Sequence, residues 1–386
     1  MDMAGGLAYN NYIKSNAVFP IQGVKIYMKF TSLSAKLIIA LICLSAFLVP
    51  STDIMPEVER DYEQTAYQRL LEEMATAVPS PSPTPDPLSA TPSAAPATAI
   101  PSPTPQPEPV YTLPMDTYDG GVAPAEANYS TSEIVLNDGT TVTAQVYSDP
   151  TIEVTYYVQR YYESDCNLVF VKIKHPSQLR TAISEEAVGG AYAKTSEMGR
   201  IKNAVVAING EYYTQRESTA FIVKQSDMIK STPSEQLHQL IIDTSGNFHI
   251  TTTAEDSRDM VTQLQGQIYQ AFSFGPALVI DGQKVEYTDY HFDADSPNPR
   301  TAIGQTGELE YLICTANGRT DTDEGLDIAQ LADVMAQNGC QNAYNLDGGG
   351  SCTLYWHGDV VSHVNTSDKE REISDCIYFA SAYTGE

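Results

Sequence analysis

The sequence predicts an α+β protein: a single mixed, mostly antiparallel sheet domain with a few packed helices, preceded by a membrane leader and a proline-rich spacer. Three observations carry this expectation. Short apolar runs of strand length, bounded by Asn-Gly, Asp-Gly and Gly-Pro turns, recur from residue 128 to the C-terminus. Few segments in that span have helical spacing, and one of them is punctuated at both ends. Before residue 128 the chain holds an isolated apolar run and a tract dominated by proline, neither of which builds a packed core.

The 386 residues carry 22 Lys+Arg against 49 Asp+Glu, a formal charge of −27. The acids are spread along the chain, so the body repels nucleic acid and anionic lipid, and neither is an expected partner of it. Cys43 lies in the apolar run. Cys166, Cys314, Cys340, Cys352 and Cys376 remain, with no CxxC and no paired metal spacing. No metal and no other cofactor is expected, and the odd number forbids pairing all five within one chain.

Residues 1–36 read as a basic leader with Lys25, Lys29 and Lys36. Met28-Lys29 suffices to open a conventional leader, so the first 27 residues read as a mis-set start. Residues 37–52 are uncharged and largely apolar, and Asp53, Glu57 and Glu59 follow. Lysines before and acids after place the N-terminus in the cytosol and the remainder across the cytoplasmic membrane. The run has signal-peptide length, and a cleaved signal and a retained anchor both fit it. Within 53–78, Tyr62, Ala66, Leu70 and Met74 recur every fourth position and predict a short amphipathic helix. Residues 79–109 carry 12 prolines among Ser, Thr and Ala, and 79–127 reads as an extended linker.

The folded domain is expected over 128–386. Ser132–Leu136 and Thr141–Tyr147 flank Asn137-Asp138-Gly139 as a hairpin. Thr155–Tyr162 and Leu168–Lys174 continue as strands, a helix covers Thr195–Lys202, and Ala204–Ile208 is a buried strand. Phe221–Phe248 is hairpin material, Arg258–Gln265 a helix, and Ala277–Ile280 a strand. Arg300 to Gly304 enters a hairpin that returns along Leu309–Thr315. The best-specified element follows: Asp327 and Gln330 form a capping box, an apolar face runs from Ile328 to Ala336, and Gly339 stops the helix. It leads into a strand at Ala343–Leu346, then Asn345-Leu346-Asp347-Gly348-Gly349-Gly350-Ser351, then a strand at Thr353–Trp356.

Three consecutive glycines exceed what a tight hairpin requires, and an acid beside several glycine amides is a way to aim a carboxylate and N–H donors at one small polar ligand. Polar groups recur at other strand ends: Asn209 and Glu211, Arg300 and Thr301, Asn317 and Arg319. If all strands share one sheet, these ends gather at one edge. His357 and His363 flank the Gly358-Asp359 turn and read as ordinary hairpin histidines. Asp321, Asp323 and Glu324 lack the remaining positions of a calcium loop and read as a solvated loop.

Together, Asn209-Gly210-Glu211-Tyr212-Tyr213, Phe274-Gly275-Pro276, Pro299-Arg300-Thr301-Ala302-Ile303-Gly304, Asn317-Gly318-Arg319 and the Asp347 glycine stretch resemble the phosphodiester glycosidase family, over about residues 130–382. Asn365 and Arg371 resemble that family's C-terminal Asn and Arg positions. Asn317 stands where many members have Asp, and Glu211 where bacterial members often have Asp. The resemblance implies an extracytoplasmic hydrolase that cleaves the glycosidic C1–O bond of a sugar-1-phosphodiester of N-acetylglucosamine type, with a sugar-phosphate-containing glycan as partner. It implies Asp347 and Glu211 as the catalytic carboxylates and Arg300 and Arg319 as phosphate ligands. Asn209, Thr301, Asn317, Asn345 and Ser351, with the amides of Gly348, Gly349 and Gly350, would then bind substrate. A non-catalytic polysaccharide-binding module on a membrane-anchored stalk is the alternative from another class.

Overall fold

The computed structural model describes residues 17–21, 24–28, 115, 120–136, 138–211, 220–286, 294–365 and 369–385. They fall in two compact units, 1–59 and 60–386. In the first, Ala17–Ile21 and Val24–Met28 pair as an antiparallel hairpin within the expected basic leader. The apolar run 37–52, the helix expected within 53–78 and the proline tract 79–109 lie outside the described residues. Among the described residues no helix is long and apolar enough to cross a membrane.

The second unit is α+β and built on antiparallel pairing, with one correction: its strands divide among several sheets. The nine-stranded sheet runs, in spatial order, Gln283–Lys284, Ala277–Ile280, Asn342–Asn345, Arg300–Gly307, Glu310–Ala316, Ser164–Ile173, Ile152–Tyr161, Thr141–Ser148, Tyr129–Val135. One five-stranded sheet runs Asp227–Ser231, Phe221–Lys224, Ile268–Phe274, His238–Asp243, Phe248–Thr251. The other runs Asp359–Val360, Leu354–Trp356, Ala204–Asn209, Asp375–Ala380, Leu179–Ile183. Glu372–Ile373 and Ala193–Lys194 add a two-stranded ribbon. The reason is burial. Ala204–Asn209, Asp375–Ala380 and Leu179–Ile183 are buried at every position, so each needs cover on both faces, and the few helices supply only one.

The inner faces of the three large sheets meet in one core, where Val154 and Val169, Ile208 and Trp356, and Leu240 and Phe272 pack together. Each outer face has its helix. Ile328–Gln337 sets Leu331 and Met335 against Leu168, Ala302 and Leu312. Thr195–Ile201 sets Met198 against Ala207, Tyr355 and Tyr378, and Ala254–Leu264 sets Val261 and Leu264 against Phe221 and Ile241. The capping box forms as expected: Asp327 accepts the Gln330 N–H at 2.7 Å, and the Gln330 side chain accepts the Asp327 N–H at 3.1 Å. Ahead of Asn128, the Gly121 N–H already donates to the Lys202 carbonyl at 2.7 Å and Val122 bridges to Ser381. The five cysteines of this unit are buried free thiols, and burial pushes Cys340 and Cys352 up to about 12.

Candidate active site

The glycine stretch is a seam between two sheets. Asn342–Asn345 lies beside Arg300–Gly307 in the nine-stranded sheet, with Asn345 opposite Ala302. Leu354–Trp356 lies beside Ala204–Asn209 in a five-stranded sheet, with Leu354 opposite Ile208. Residues 346–353 carry the chain from one to the other. Leu346 N–H donates to Thr301 O at 2.8 Å, Asp347 N–H to Gly210 O at 3.3 Å, and Gly349 N–H to Pro299 O at 2.8 Å. Such a crossing leaves main-chain groups of several strands without ladder partners, and side chains must satisfy them.

Asn209 meets that demand. Its Nδ2 donates to Asp347 O, while its Oδ1 accepts the Thr301 hydroxyl at 2.8 Å and the Thr353 N–H at 3.1 Å. Asn345 Nδ2 donates to Gly275 O at 2.7 Å. Asn209, Thr301 and Asn345 are all buried. The resemblance gave these three to substrate binding; the structure places their side chains on the seam itself.

The glycines are required by close approach. A Cβ on Gly348 would stand 2.6 Å from the Pro299 carbonyl oxygen. Gly349 has φ +59°, and a Cβ there would stand 3.3 Å from both terminal nitrogens of Arg319. A Cβ on Gly350 would press on the Arg371 guanidinium, whose Nη1 also donates to Ser351 Oγ at 3.3 Å. Two guanidiniums therefore lie against the glycine loop. Arg319, exposed, is oriented by Nε donating to Asn298 Oδ1 at 3.2 Å. The half-buried Asp347 opens the loop, and its Oδ1 accepts the Gly348 N–H at 2.9 Å.

Arg300 behaves differently. It is 6% exposed and directs Nε to Leu326 O at 3.0 Å and Nη2 to Ser296 O at 2.9 Å. Its Nε and Nη2 are turned to backbone carbonyls, and Arg371 is the second cation on the glycines.

Glu211 is fully buried. Its Oε1 accepts from Lys224 Nζ at 2.6 Å, its Oε2 accepts the Ser273 N–H, and the same ammonium reaches Asp375 Oδ2 at 3.0 Å. Lys224 also lies over the Phe272 ring, 3.9 Å from its centroid. Burial raises the Glu211 carboxyl above the ordinary carboxylate range, with Lys224 opposing and Asp375 adding to the rise. Burial pulls Lys224 down, but the two carboxylates outweigh it and hold the ammonium above its ordinary range. One cation between two carboxylates leaves the triad with an excess negative charge. The triad is joined to the seam: a Cβ on Gly210 would press on the Asp375 carboxylate, and the Gly210 carbonyl holds the Asp347 N–H.

Asn317 is buried, and its Oδ1 accepts the His363 N–H at 2.9 Å and Asn167 Nδ2 at 3.1 Å. His357 stacks on Tyr129 at 3.7 Å between centroids and meets Glu126 at 2.9 Å. Asp323 is a correction to the solvated-loop reading: it is buried, accepting the Asp165 N–H at 2.7 Å and the Thr322 hydroxyl at 2.7 Å. A hollow of about 760 Å³ among Ile134, Tyr157, Phe170 and Asn338 holds none of the motif residues. Lys224 and Asp375 escaped sequence reasoning, although each is a charge abutting an apolar run, Phe221-Ile222-Val223 and Cys376-Ile377-Tyr378-Phe379.

Two guanidiniums over a glycine loop that begins with a carboxylate have the chemistry to hold a small oxyanion-bearing ligand. Residues 202–380 match the phosphodiester glycosidase family model. The SPbeta prophage-derived uncharacterized protein YomE of Bacillus subtilis (strain 168) is 22% identical over 281 residues, 69% of this chain and 43% of its own length. The N-acetylglucosamine-1-phosphodiester alpha-N-acetylglucosaminidase of Homo sapiens is 24% identical over 183 residues, 44% of this chain and 35% of its own length. The chain thus spans less than half the length of these curated relatives. The solved catalytic domain of the zebrafish N-acetylglucosamine-1-phosphodiester alpha-N-acetylglucosaminidase aligns with a TM-score of 0.45 at 18% identity, over 68% of this chain and 87% of that one.

Proposed function

We propose that this protein hydrolyses a sugar-1-phosphodiester of N-acetylglucosamine type at the glycosidic C1–O bond, in cell-envelope or exopolysaccharide glycans outside the cytoplasmic membrane. The observation that carries the reading is the placing of Arg319 and Arg371 against Gly349 and Gly350, with Asp347 at the head of the same loop. A phosphodiester leaves from C1 as a phosphate monoester anion. The two guanidiniums stabilise the charge that gathers on it, so departure needs no proton from a general acid. Positive charge develops at C1 as the bond breaks, and the Asp347 carboxylate faces it, as nucleophile or as base for the incoming water. Water oxygen then bonds to C1, its proton leaves through the carboxylate, and the products are a free sugar and a phosphate monoester. Glu211 and Arg300 support the loop in this scheme. The outward placement rests on Lys25, Lys29 and Lys36 before residues 37–52 and Asp53, Glu57 and Glu59 after them.

The test is to incubate the full chain with the nitrophenyl ester of N-acetylglucosamine 1-phosphate. Free reducing sugar with nitrophenyl phosphate is expected. Nitrophenol with sugar 1-phosphate would put the cleavage at phosphorus and overturn the scheme. Binding of N-acetylglucosamine 1-phosphate without any turnover would move the protein to the polysaccharide-binding class.

A further inference from the structure

The two guanidiniums on the glycine loop are held in different ways. Arg319 is oriented directly, with Nε and Nη2 both donating to Asn298 Oδ1. Arg371 stands on no strand of either sheet that the seam joins. It precedes Glu372–Ile373, whose pairing with Ala193–Lys194 is two residues long, Glu372 opposite Lys194 and Ile373 opposite Ala193. A two-stranded ribbon of that length has little stability of its own. The contact of Arg371 with the loop is weak as well: Nη1 donates to Ser351 Oγ at 3.3 Å, long for a hydrogen bond, and the rest is packing on Gly350, where a Cβ would stand 2.5 Å from Nη2. A long exposed side chain gains rotamer freedom wherever it is not held, so the station of this guanidinium depends on the main chain that carries it.

The preceding residue fixes that main chain. Glu370, half-buried, accepts the Ser196 N–H on Oε1 at 2.8 Å and the Ser196 hydroxyl on Oε2 at 2.5 Å, across 174 positions of chain. Ser196 is the second residue of Thr195–Ile201. The first N–H groups of a helix have no partner within it, and a side chain at the N-cap commonly accepts one. Here the N-cap is Lys194, whose side chain makes no such bond, and the hydroxyl of the buried Thr195 has no hydrogen-bond partner among the described residues. A carboxylate from the far end of the chain completes the helix start instead. The helix is a firm anchor, since Met198 packs it against Ala207, Tyr355 and Tyr378.

We propose that Glu370 is a positioning residue for oxyanion binding: by clasping the first turn of Thr195–Ile201 it holds Arg371 over Gly350 before a ligand arrives. The proposal rests on the glycine loop being the seat of the oxyanion. The clasp acts on affinity. A guanidinium already in place loses little freedom when the ligand binds, whereas one that the ligand must first order weakens binding by about fivefold.

The experiment uses full-length protein labelled with ¹⁵N-arginine, in which the Arg371 Nε–H resonance is identified by its loss in Arg371→Ala. Glu370→Ala is expected to lower the ¹H–¹⁵N NOE of that group to the level of a freely moving arginine and to weaken binding of N-acetylglucosamine 1-phosphate, measured by calorimetry, about fivefold. Glu370→Gln, whose amide oxygen still accepts the Ser196 N–H, should recover part of both. In the Arg371→Ala background Glu370→Ala should change the affinity less than about twofold, because the side chain it places is gone. Urea unfolding runs in parallel: loss of a helix cap lowers the midpoint in either background, so a purely structural role would appear there and leave the NOE and the affinity unchanged. If Glu370→Ala does not fold, Ser196→Ala keeps the N–H contact, removes the hydroxyl and makes the same comparison, with about a twofold loss of affinity expected. An unchanged Arg371 NOE in the folded variant, or the same loss of affinity with and without Arg371, overturns the inference. Unchanged affinity in Arg371→Ala would move the oxyanion off the glycine loop and overturn the reading beneath the proposal; the NOE needs no ligand and separates that failure from a failure of the clasp.

Discussion

Replacing Lys224 by methionine isolates the electrostatic share of the buried triad. The stem is nearly conserved, so contact with Phe272 is kept while the ammonium between Glu211 and Asp375 is lost. Removing one partner of a buried ion pair costs about 3–5 kcal/mol, because a charge is left without compensation. Here one cation serves two carboxylates, at 2.6 and 3.0 Å, which puts the expected loss near the upper figure, about 5 kcal/mol at pH 7. Against a domain stability of roughly 5–15 kcal/mol that is a large fraction. The loss should depend on pH with a definite sign. Glu211 already has a folded pKa raised by burial, and loss of the Lys224 ammonium, which opposes that rise, lifts it further. A raised acid keeps its stability below the unfolded pKa and loses it as pH rises through the folded one, so the deficit is largest at pH 7 and shrinks towards pH 4.5. Urea unfolding of wild type and variant at both pH values measures it, and adding Glu211→Gln to Lys224→Met should recover part of the loss at pH 7. A deficit under about 1 kcal/mol that does not change with pH would refute the account of the triad.

Asp347→Asn keeps shape and the contact with the Gly348 N–H but removes the charge, so kcat on the nitrophenyl ester should fall roughly a thousandfold with little change in binding of the sugar-phosphate product. Near-wild-type turnover by a folded variant would remove Asp347 from the chemistry. Arg319→Lys and Arg371→Lys should each raise KM for a phosphodiester about tenfold through loss of the planar fork, whereas Arg300→Lys should lower the unfolding midpoint and leave KM nearly unchanged; steady-state kinetics and urea melts together separate the two roles. Asp323→Asn should flatten the acid limb of a thermal-stability profile between pH 7 and 3. Burial pushes that carboxyl up, but the Asp165 N–H, the Thr322 and Thr320 hydroxyls and Arg160 outweigh it and hold it below its ordinary value. Its stabilisation is therefore present above the unfolded pKa and lost as pH falls through the folded one.

The elements that sequence reasoning located are those whose signals are local. Ile328–Gln337 carries both of its stop signals within the helix and its flanks, and Arg300–Gly307 with Glu310–Ala316 is a hairpin of adjacent strands. Leu179–Ile183 was not legible, because Arg180 interrupts its apolar pattern. In the structure that arginine is fully buried, donating from Nη1 to the neighbouring Ser177 O at 3.1 Å and from Nε to the Tyr378 hydroxyl at 3.0 Å, a partner that only tertiary folding supplies. The number of sheets was hidden for a related reason: a strand buried on both faces reads the same whether a helix or another sheet covers it. At the site, Asp347, the glycines and Arg319 stood out through their motif. Arg300 drew a phosphate role from its motif and Arg371 drew none, because the direction of a guanidinium depends on where free carbonyls lie, and Leu326 and Ser296 come to Arg300 through the loop preceding Ile328 and the segment preceding Arg300.

The 2.6 Å that would separate a Gly348 Cβ from the Pro299 carbonyl makes that glycine a demand of architecture before it is one of chemistry. A chain with this seam needs the residue in order to pass from one sheet to the next, whatever ligand it holds and whether or not it turns one over. A glycine run of this kind therefore signals a crossing. The residues that would tell an active relative from a silent one are those the crossing could do without: the carboxylate of Asp347 and the guanidiniums of Arg319 and Arg371.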